Sequence, residues 1–594
     1  MRIVNKPTYL AMGGVPLFGV YTHPEDGLVR GAVLVCPPLG KELNHTWRGF
    51  KRLAELLAAQ RLLVLRIDYA GTGESAGSQA DPSAVERWDR SVTAAFDHLV
   101  DLEVGPIAVI AHRSGALVAA SNESVRDSAD CLVLWDPIQR GRHFVRTQQM
   151  LYATLSESED APAAGSDELV QLAGLTLHRE AARAFSRKTL DPVAVVGSRR
   201  DRVLALLSGD DLESSLAQSV SAAGGTVSAL TDQAPFIQAT EALLIDFPPE
   251  LERIAQWLSQ QMPAATTFVS PMPVSSAVVA STPDGRAIET RVMVTDDGIT
   301  VWDTAVAGTH RIADRLLVTH PIGHDIRSGP ARLYVELANE VAARGGRTVR
   351  FDRRGVGESG MTSTDDTFVK LFTRTYVNDG NRILDELNLS RITVVAHLGI
   401  CAGNWMSAHA AIETARRQSG RSRVVAIVAN VNRWDVWPDW SLPFMRGADS
   451  ASARLEFQRH RVLYRGIRDL TDFSGKVRST RLRAALARLR VFQMPETMLA
   501  RIQRAGAEVR LVLAPNDYRQ FTRLSGHRAM SRLGISIPVV HLTDGDHAGY
   551  HMPTRAMLKD EALRALDLYD VTTTVVDPAD PAGEVDQPVH TAVR

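Results

Sequence analysis

The feature that most constrains this chain is a repeat. The segment "GAVLVCPPLGKELNHTWRGFKRLAELLAAQRLLVLRIDYAGTGES" is answered later by "RLLVTHPIGHDIRSGPARLYVELANEVAARGGRTVRFDRRGVGES". Each runs from an apolar strand through a Pro/Gly turn to an amphipathic helix, a second apolar strand and then Asp-x-x-Gly-x-Gly-Glu-Ser. A further pair, "IAVIAHRSGALVAA" and "ITVVAHLGICAGNWMSA", sets Arg113 opposite Cys401. Asp68 and Asp352 are 284 residues apart, and Arg113 and Cys401 are 288 apart. Nearly constant spacing over two motifs points to a duplicated unit.

Within each unit, continuous apolar runs alternate with helical stretches. "LLVLRI", "IAVIA" and "CLVLW" serve the first unit; "RTVRF", "ITVVA" and "VVAIVA" serve the second. Strands apolar on both faces and separated by helices predict a parallel sheet of βαβ units, an α/β fold. A chain of 594 residues has room for two such domains. The expected division is a first domain over 1–262, a linker over 263–285 rich in Pro, Ser, Thr and Ala, a second domain over 286–572, and a disordered tail over 573–594.

Composition excludes several classes. Hydrophobic residues make up 45% and charged residues 23%, with a net charge of −1. That balance suits a soluble globular protein and gives no field for nucleic acid or an anionic membrane. The N-terminal "MRIVNKPTYLAMGGVPLFGVY" is broken by Gly13, Gly14 and Pro16, so it reads as a β-hairpin and not as a signal peptide. No apolar run approaches the roughly 18 residues of a membrane span. Three widely spaced cysteines, Cys36, Cys131 and Cys401, fit a reducing compartment, and a cytoplasmic location is expected. No metal site or cofactor is expected.

The chemistry concentrates in the second unit. "GICAG" stands between the strand "RITVVAH" and the helix "NWMSAHAAIETARR". Gly399 and Gly403 flank Cys401 at the two places where a sharp strand-to-helix turn needs small residues. The helix starting after Cys401 turns its positive end toward the sulfur, which favours a thiolate. Such a nucleophile needs a base, and the base an orienting group. Asp517 lies just past the strand in "EVRLVLAPNDYRQF", and His547 just past the strand in "IPVVHLTDGDHAGYH". Both fall at the carboxyl edge of a sheet, where α/β sites form. His541 and His551 are rivals for the base, and Asp544 or Asp546 for the acid. Cys36 and Cys131 sit inside apolar strands and read as inert core residues.

The elbow, the "DRRGVGES" turn and "GDH" together resemble the α/β-hydrolase superfamily. They look closest to serine-aminopeptidase-like and exosortase-associated hydrolases in which Cys replaces Ser; dienelactone hydrolases are another branch with a Cys-His-Asp triad. The resemblance covers most of both units. It implies two tandem α/β-hydrolase domains and a triad in the chain order Cys401, Asp517, His547. It also implies an oxyanion hole from the backbone N–H of Ala402 and one from the "THPIGHD" loop, with Ile322 the candidate and Gly323 its neighbour. Insertions near 435–507 form lids in this superfamily. Here that stretch opens with "WDVWPDWSLPFM" and continues with arginines far outnumbering acids. It suits an apolar pocket and an anionic partner such as coenzyme A or an acyl carrier protein; the alternative is a solvated helical face.

The first unit fails the same test. Arg113 holds the nucleophile position, a shift to Ser114 misplaces the small residues, and the final strand region, "GTVSALTDQAPFIQATEALLIDFPPELERIAQWL", contains no histidine. Arg113 could bind a carboxylate or phosphate, or pair with Asp210 or Asp211. The expected function is acyl transfer on an ester or thioester through an acyl-Cys401 intermediate. The alternatives are a non-catalytic scaffold and a dienelactone-type hydrolase of small lactones.

Overall fold

Gly13 and Gly14, with φ of 53° and 91°, make the two-residue turn that joins β1 (Ile3–Met12) to β2 (Val15–Pro24). Positive φ at both positions is the hairpin turn that matches strand twist, and the ten-pair ladder that follows is the N-terminal hairpin the sequence predicts. The structure is a computed structural model that describes residues 1–155, 168–197, 199–237, 247–323, 325–361, 374–387, 389–418, 420–430, 495–523 and 525–569. The lid expected over 435–507 lies outside the described residues as far as 494, and so does the tail expected over 573–594. Pro495–Arg504 is a helix.

The first sheet continues with β3 (Ala32–Cys36), β4 (Leu63–Ile67), β5 (Ile107–His112), β6 (Cys131–Trp135), β7 (Val203–Leu207) and β8 (Thr226–Ala229). Its order is β1-β2-β4-β3-β5-β6-β7-β8. The second sheet holds β9 (Ser276–Ser281), β10 (Ala287–Val294), β11 (Thr300–Val306), β12 (Arg315–His320), β13 (Arg347–Phe351), β14 (Val394–Ile400), β15 (Arg423–Ala429), β16 (Glu508–Leu513) and β17 (Val539–His541). Its order is β9-β10-β11-β13-β12-β14-β15-β16-β17. Apart from the extra edge strand β9, the two orders are the same. In both, the leading strands are antiparallel and the rest parallel. These are two α/β sheets, as the two sequence segments predict. β3 to β6 are buried along their whole length, as strands covered by helices on both faces must be. Among the described residues no helix is long and apolar enough to cross a membrane.

The linker reading of 263–285 needs one revision. Ser276–Ser281 pairs antiparallel with β10 as the sheet edge, and Thr267–Phe268 bridges to Leu28–Val29. Ser and Thr side chains lower apolar density without hindering an edge strand, so composition alone hid it.

The repeated Asp-x-x-Gly-x-Gly-Glu-Ser turn joins the two halves. Asp68 accepts from Glu74 N–H at 2.8 Å, and Ser75 Oγ donates to Asp68 O and accepts from Phe18 N–H. Asp352, Glu358, Ser359 and Thr300 repeat these contacts. A Cβ on Gly73 would lie 2.0 Å from the Asp68 carboxylate, and one on Gly357 2.1 Å from that of Asp352, so only glycine fits there. Each turn thrusts its glutamate into the opposite half. Arg66 grips Glu358 at 2.8 and 2.9 Å, and Arg350 grips Glu74 at 2.6 and 2.8 Å. Arg66 and Arg350 are equivalent in the repeat, as are Glu74 and Glu358, so one contact is made twice in opposite directions. That is the isologous pattern of a two-fold interface. Phe18 and Trp302 meet edge to face across the joint at 6.0 Å, and the Arg327 guanidinium lies 4.2 Å above the Trp302 ring. The apolar cluster of the first half includes Trp302, Ile288 and Val292 of the second.

Candidate active site

β14 ends at Ile400, Cys401 takes φ of 52°, and the helix Ala402–Gln418 begins at once. A non-glycine residue in this conformation carries strain of about 1–3 kcal/mol that its surroundings must hold. They hold it by contact. A Cβ on Gly399 would stand 2.2 Å from Gly403 O, and one on Gly403 2.8 Å from His320 O. Both glycines of the elbow are therefore steric requirements. Cys401 N–H donates to Ala429 O at 3.3 Å, and Asn404 Oδ1 accepts from Ala429 N–H at 2.8 Å, tying the start of the helix to β15. The thiol itself is exposed, whereas Cys36 and Cys131 are buried.

The structure brings His547 and Asp517 to this thiol. His547 Nδ1 lies 2.8 Å from Asp517 Oδ2, and the ring stands close enough to the Cys401 sulfur for that sulfur to act on its charge. Asp517 is buried in the first turn of the helix Pro515–Arg523, directly after β16. Burial of His547 works against its charge, but the Cys401 sulfur and the Asp517 carboxylate outweigh it and hold its pKa well above the usual histidine range. That environment favours the charged form of the imidazole beside the sulfur. Of the rivals, His541 stacks on Tyr518 and Asp546 accepts the N–H groups of Tyr550 and His551; His551 stacks on Tyr152, and Asp544 lies 3.8 Å from His551. His547→Ala is expected to slow iodoacetamide alkylation of Cys401 at pH 6 by at least about tenfold, because the cation beside the sulfur is gone. Cys36 and Cys131 serve as internal references, since burial pushes their thiols up to about 12 and about 11. Equal rates in the two proteins would remove His547 from the site.

Ala402 opens its helix, where an N–H has no partner within the helix. Ile322 follows β12 in the turn Pro321–Gly323, closed by Asp325 N–H on Ile322 O at 2.7 Å. Gly403 packs on the same strand end, against His320 O and Pro321 O. The sequence reading overlooked Asn430. With φ of 57°, it accepts from Ala514 N–H at 2.7 Å and donates to His547 O at 2.8 Å and Asp546 O at 3.2 Å. One side chain thereby joins the end of β15 to the acid loop and the histidine loop. The only sequence signal was a polar residue closing the apolar run "VVAIVAN".

The first half repeats the elbow with Arg113 where the second has Cys401. Arg113 has φ of 51°, and its N–H bonds Trp135 O as that of Cys401 bonds Ala429 O. Its guanidinium donates to Glu42 twice at 3.0 Å and to Asp136 at 2.8 Å, and not to Asp210 or Asp211, the partners the sequence suggests. Ser114 is buried, and its Oγ accepts from Leu39 N–H at 2.9 Å. A cavity of about 640 Å³ lined by Arg291, Asp303, His310, Arg311 and Arg347 among others includes none of the triad.

No family model matches the chain, and no curated protein matches it. Among solved structures it is similar to Est1E from Butyrivibrio proteoclasticus with ferulic acid bound, at 17% identity over 42% of this chain and 96% of that one, with a TM-score of 0.29. An esterase from Pyrococcus furiosus aligns at 15% identity over 44% and 92%, with a TM-score of 0.32. A thioesterase domain from the curacin biosynthetic pathway aligns at 13% over 43% and 99%, with a TM-score of 0.28.

Proposed function

We propose that this protein is an acyl-transfer enzyme, an esterase, thioesterase or acyltransferase, working through Cys401 with His547 and Asp517. The observation that carries the reading is the Asp517–His547 hydrogen bond set beside an exposed thiol on a positive-φ turn. The Cys401 thiolate attacks the carbonyl carbon of an ester or thioester, and the carbonyl π electrons move onto oxygen, held by the N–H groups of Ala402 and Ile322. The tetrahedral adduct collapses, its bond to the leaving alkoxide or thiolate breaks, and the leaving group takes the proton from His547. Neutral His547 then removes a proton from water, an alcohol or an amine as it attacks acyl-Cys401, and the thiolate departs. Asp517 holds the tautomer and the charge of His547 throughout.

Thioesters suit this site because the attacking and leaving sulfurs have similar basicity. The excess of arginine over 455–490 fits an anionic carrier, coenzyme A or an acyl carrier protein. The first half, with Arg113 sealed by carboxylates, is read as catalytically inactive. Intact mass after incubation with acyl-coenzyme A thioesters and p-nitrophenyl esters tests the proposal. One acyl group is expected on the wild type and none on Cys401→Ala, and the preferred chain length identifies the substrate class. A wild type that neither gains mass nor turns over any ester would sink it.

A further inference from the structure

The segment that follows His547 packs against the first half of the chain. Tyr152 of the helix Gly141–Leu155 stacks on His551 at 4.7 Å, and its hydroxyl accepts from Met552 N–H at 3.1 Å. Tyr550 is buried three residues after His547. Its ring lies 5.2 Å from Lys41 Nζ, and Asn44 stands beside its hydroxyl, both from the helix Lys41–Ala59. Asn44 donates to Gly329 O at 3.1 Å. On its other side the Tyr550 hydroxyl donates to Asp325 Oδ2 at 3.3 Å, and Asp325 N–H closes the Ile322 turn. Tyr550 thus links three pieces: the loop of the base, the turn of the oxyanion donor, and a helix of the half that lacks a triad.

We infer that the first half is a working part of the active site, with Lys41 and Asn44 acting as positioning residues that hold Tyr550 between the His547 loop and the Ile322 turn. The inference rests on the acyl-transfer reading of Cys401. The base must meet the sulfur while the oxyanion donors meet the carbonyl oxygen, and misplacement by about 1 Å between such groups costs on the order of 100-fold in rate. The two groups come from loops more than 200 residues apart, and Tyr550 bridges them directly. A cation over the ring face is attractive by about 0.5–2 kcal/mol and also faces Asp325. Removal from bulk water pushes the Asp325 carboxyl up to about 6, against the pull of Lys41 and the Tyr550 hydrogen bond. The first half therefore contributes a charge beside the pair, beyond bulk packing.

The test is steady-state and single-turnover kinetics on the full chain, with Lys41→Met, Lys41→Arg and Tyr550→Phe set beside the wild type. Lys41→Met and Tyr550→Phe are expected to lower kcat and the rate of Cys401 acylation about tenfold, with KM within about twofold. Lys41→Arg, which keeps the cation, is expected to restore most of the rate. A role confined to stability would lower the unfolding midpoint and leave kcat of the folded enzyme unchanged in all three; that result overturns the inference. Tyr152→Phe offers an independent contact should Lys41→Met fold poorly, and the same loss of kcat is expected of it. A wild type that acylates Cys401 while every variant matches it sinks this inference alone. A wild type that never acylates sinks the acyl-transfer reading as well.

Discussion

Cys401→Ala is expected to lower turnover of the best thioester by at least about 10³-fold, with little change in unfolding midpoint. The two halves of that expectation have separate causes. The thiol is exposed, and truncating an exposed side chain generally changes stability by no more than about 0.5 kcal/mol. The elbow is held by Gly399, Gly403 and Asn404 and not by the sulfur. The rate loss follows because the acyl group has no atom to move onto, leaving only the oxyanion donors and binding to act on the substrate. Cys401→Ser is expected to fall between the two. Its hydroxyl can still be activated by His547, though from a much weaker acid than a thiol. An alanine variant that turns over like the wild type would leave the site without its nucleophile and return the scaffold reading to the front.

The second large effect concerns the joint between the halves. Glu358→Gln is expected to destabilise the protein by about 3–5 kcal/mol, read as a fall in the midpoint of chemical denaturation. Glu358 is fully buried and answers Arg66 through two hydrogen bonds and Trp47 through a third at 2.8 Å. The neutral amide leaves the Arg66 guanidinium buried without a counter-charge, and that uncompensated charge is the main cost. Replacing both partners with apolar residues, Arg66→Met with Glu358→Leu, is expected to recover much of the loss, since the intact pair spends most of its attraction on its own desolvation. The pH dependence has a definite sign. Burial would raise the Glu358 pKa, but Arg66 and Lys51 outweigh it and hold the carboxyl down to about 2. A carboxyl depressed in the folded state contributes stability that is present above its unfolded value, about 4.3, and drains away as pH falls toward 2. The Gln variant should lose that part of the acid dependence. A variant with the wild-type midpoint and acid limb would show that the pair contributes nothing to the joint.

The repeat was legible because each unit must build the same sheet, and a buried parallel strand needs an unbroken apolar run. Those runs in "AVLVC", "CLVLW" and "VVAIVA" needed no tertiary information. The elbow was legible for a related reason: a turn that places Gly399 against Gly403 at 2.2 Å tolerates so few residues that its sequence is nearly its geometry. The purpose of Asp-x-x-Gly-x-Gly-Glu-Ser was not legible. Its Asp, Gly and Ser serve the local turn, but its Glu answers an arginine 292 or 276 residues away, and nothing in a short window records a partner at that distance.

The same divide runs through the site. Residue order and local pattern determined two α/β units, the strand-to-helix turn that carries Cys401, and a final region of the first unit that contains no histidine. Only the tertiary structure decided which acid faces His547, that Arg113 is closed off by Glu42 and Asp136, and that Tyr550 and Asn430 knit the loops together. The physical reason is the range of the forces. Periodicity and turn sterics act over a few residues and are written in them. Hydrogen bonds and charges act over a few ångströms of space, and which side chains share that space is set only when the sheets have formed and the two halves have met.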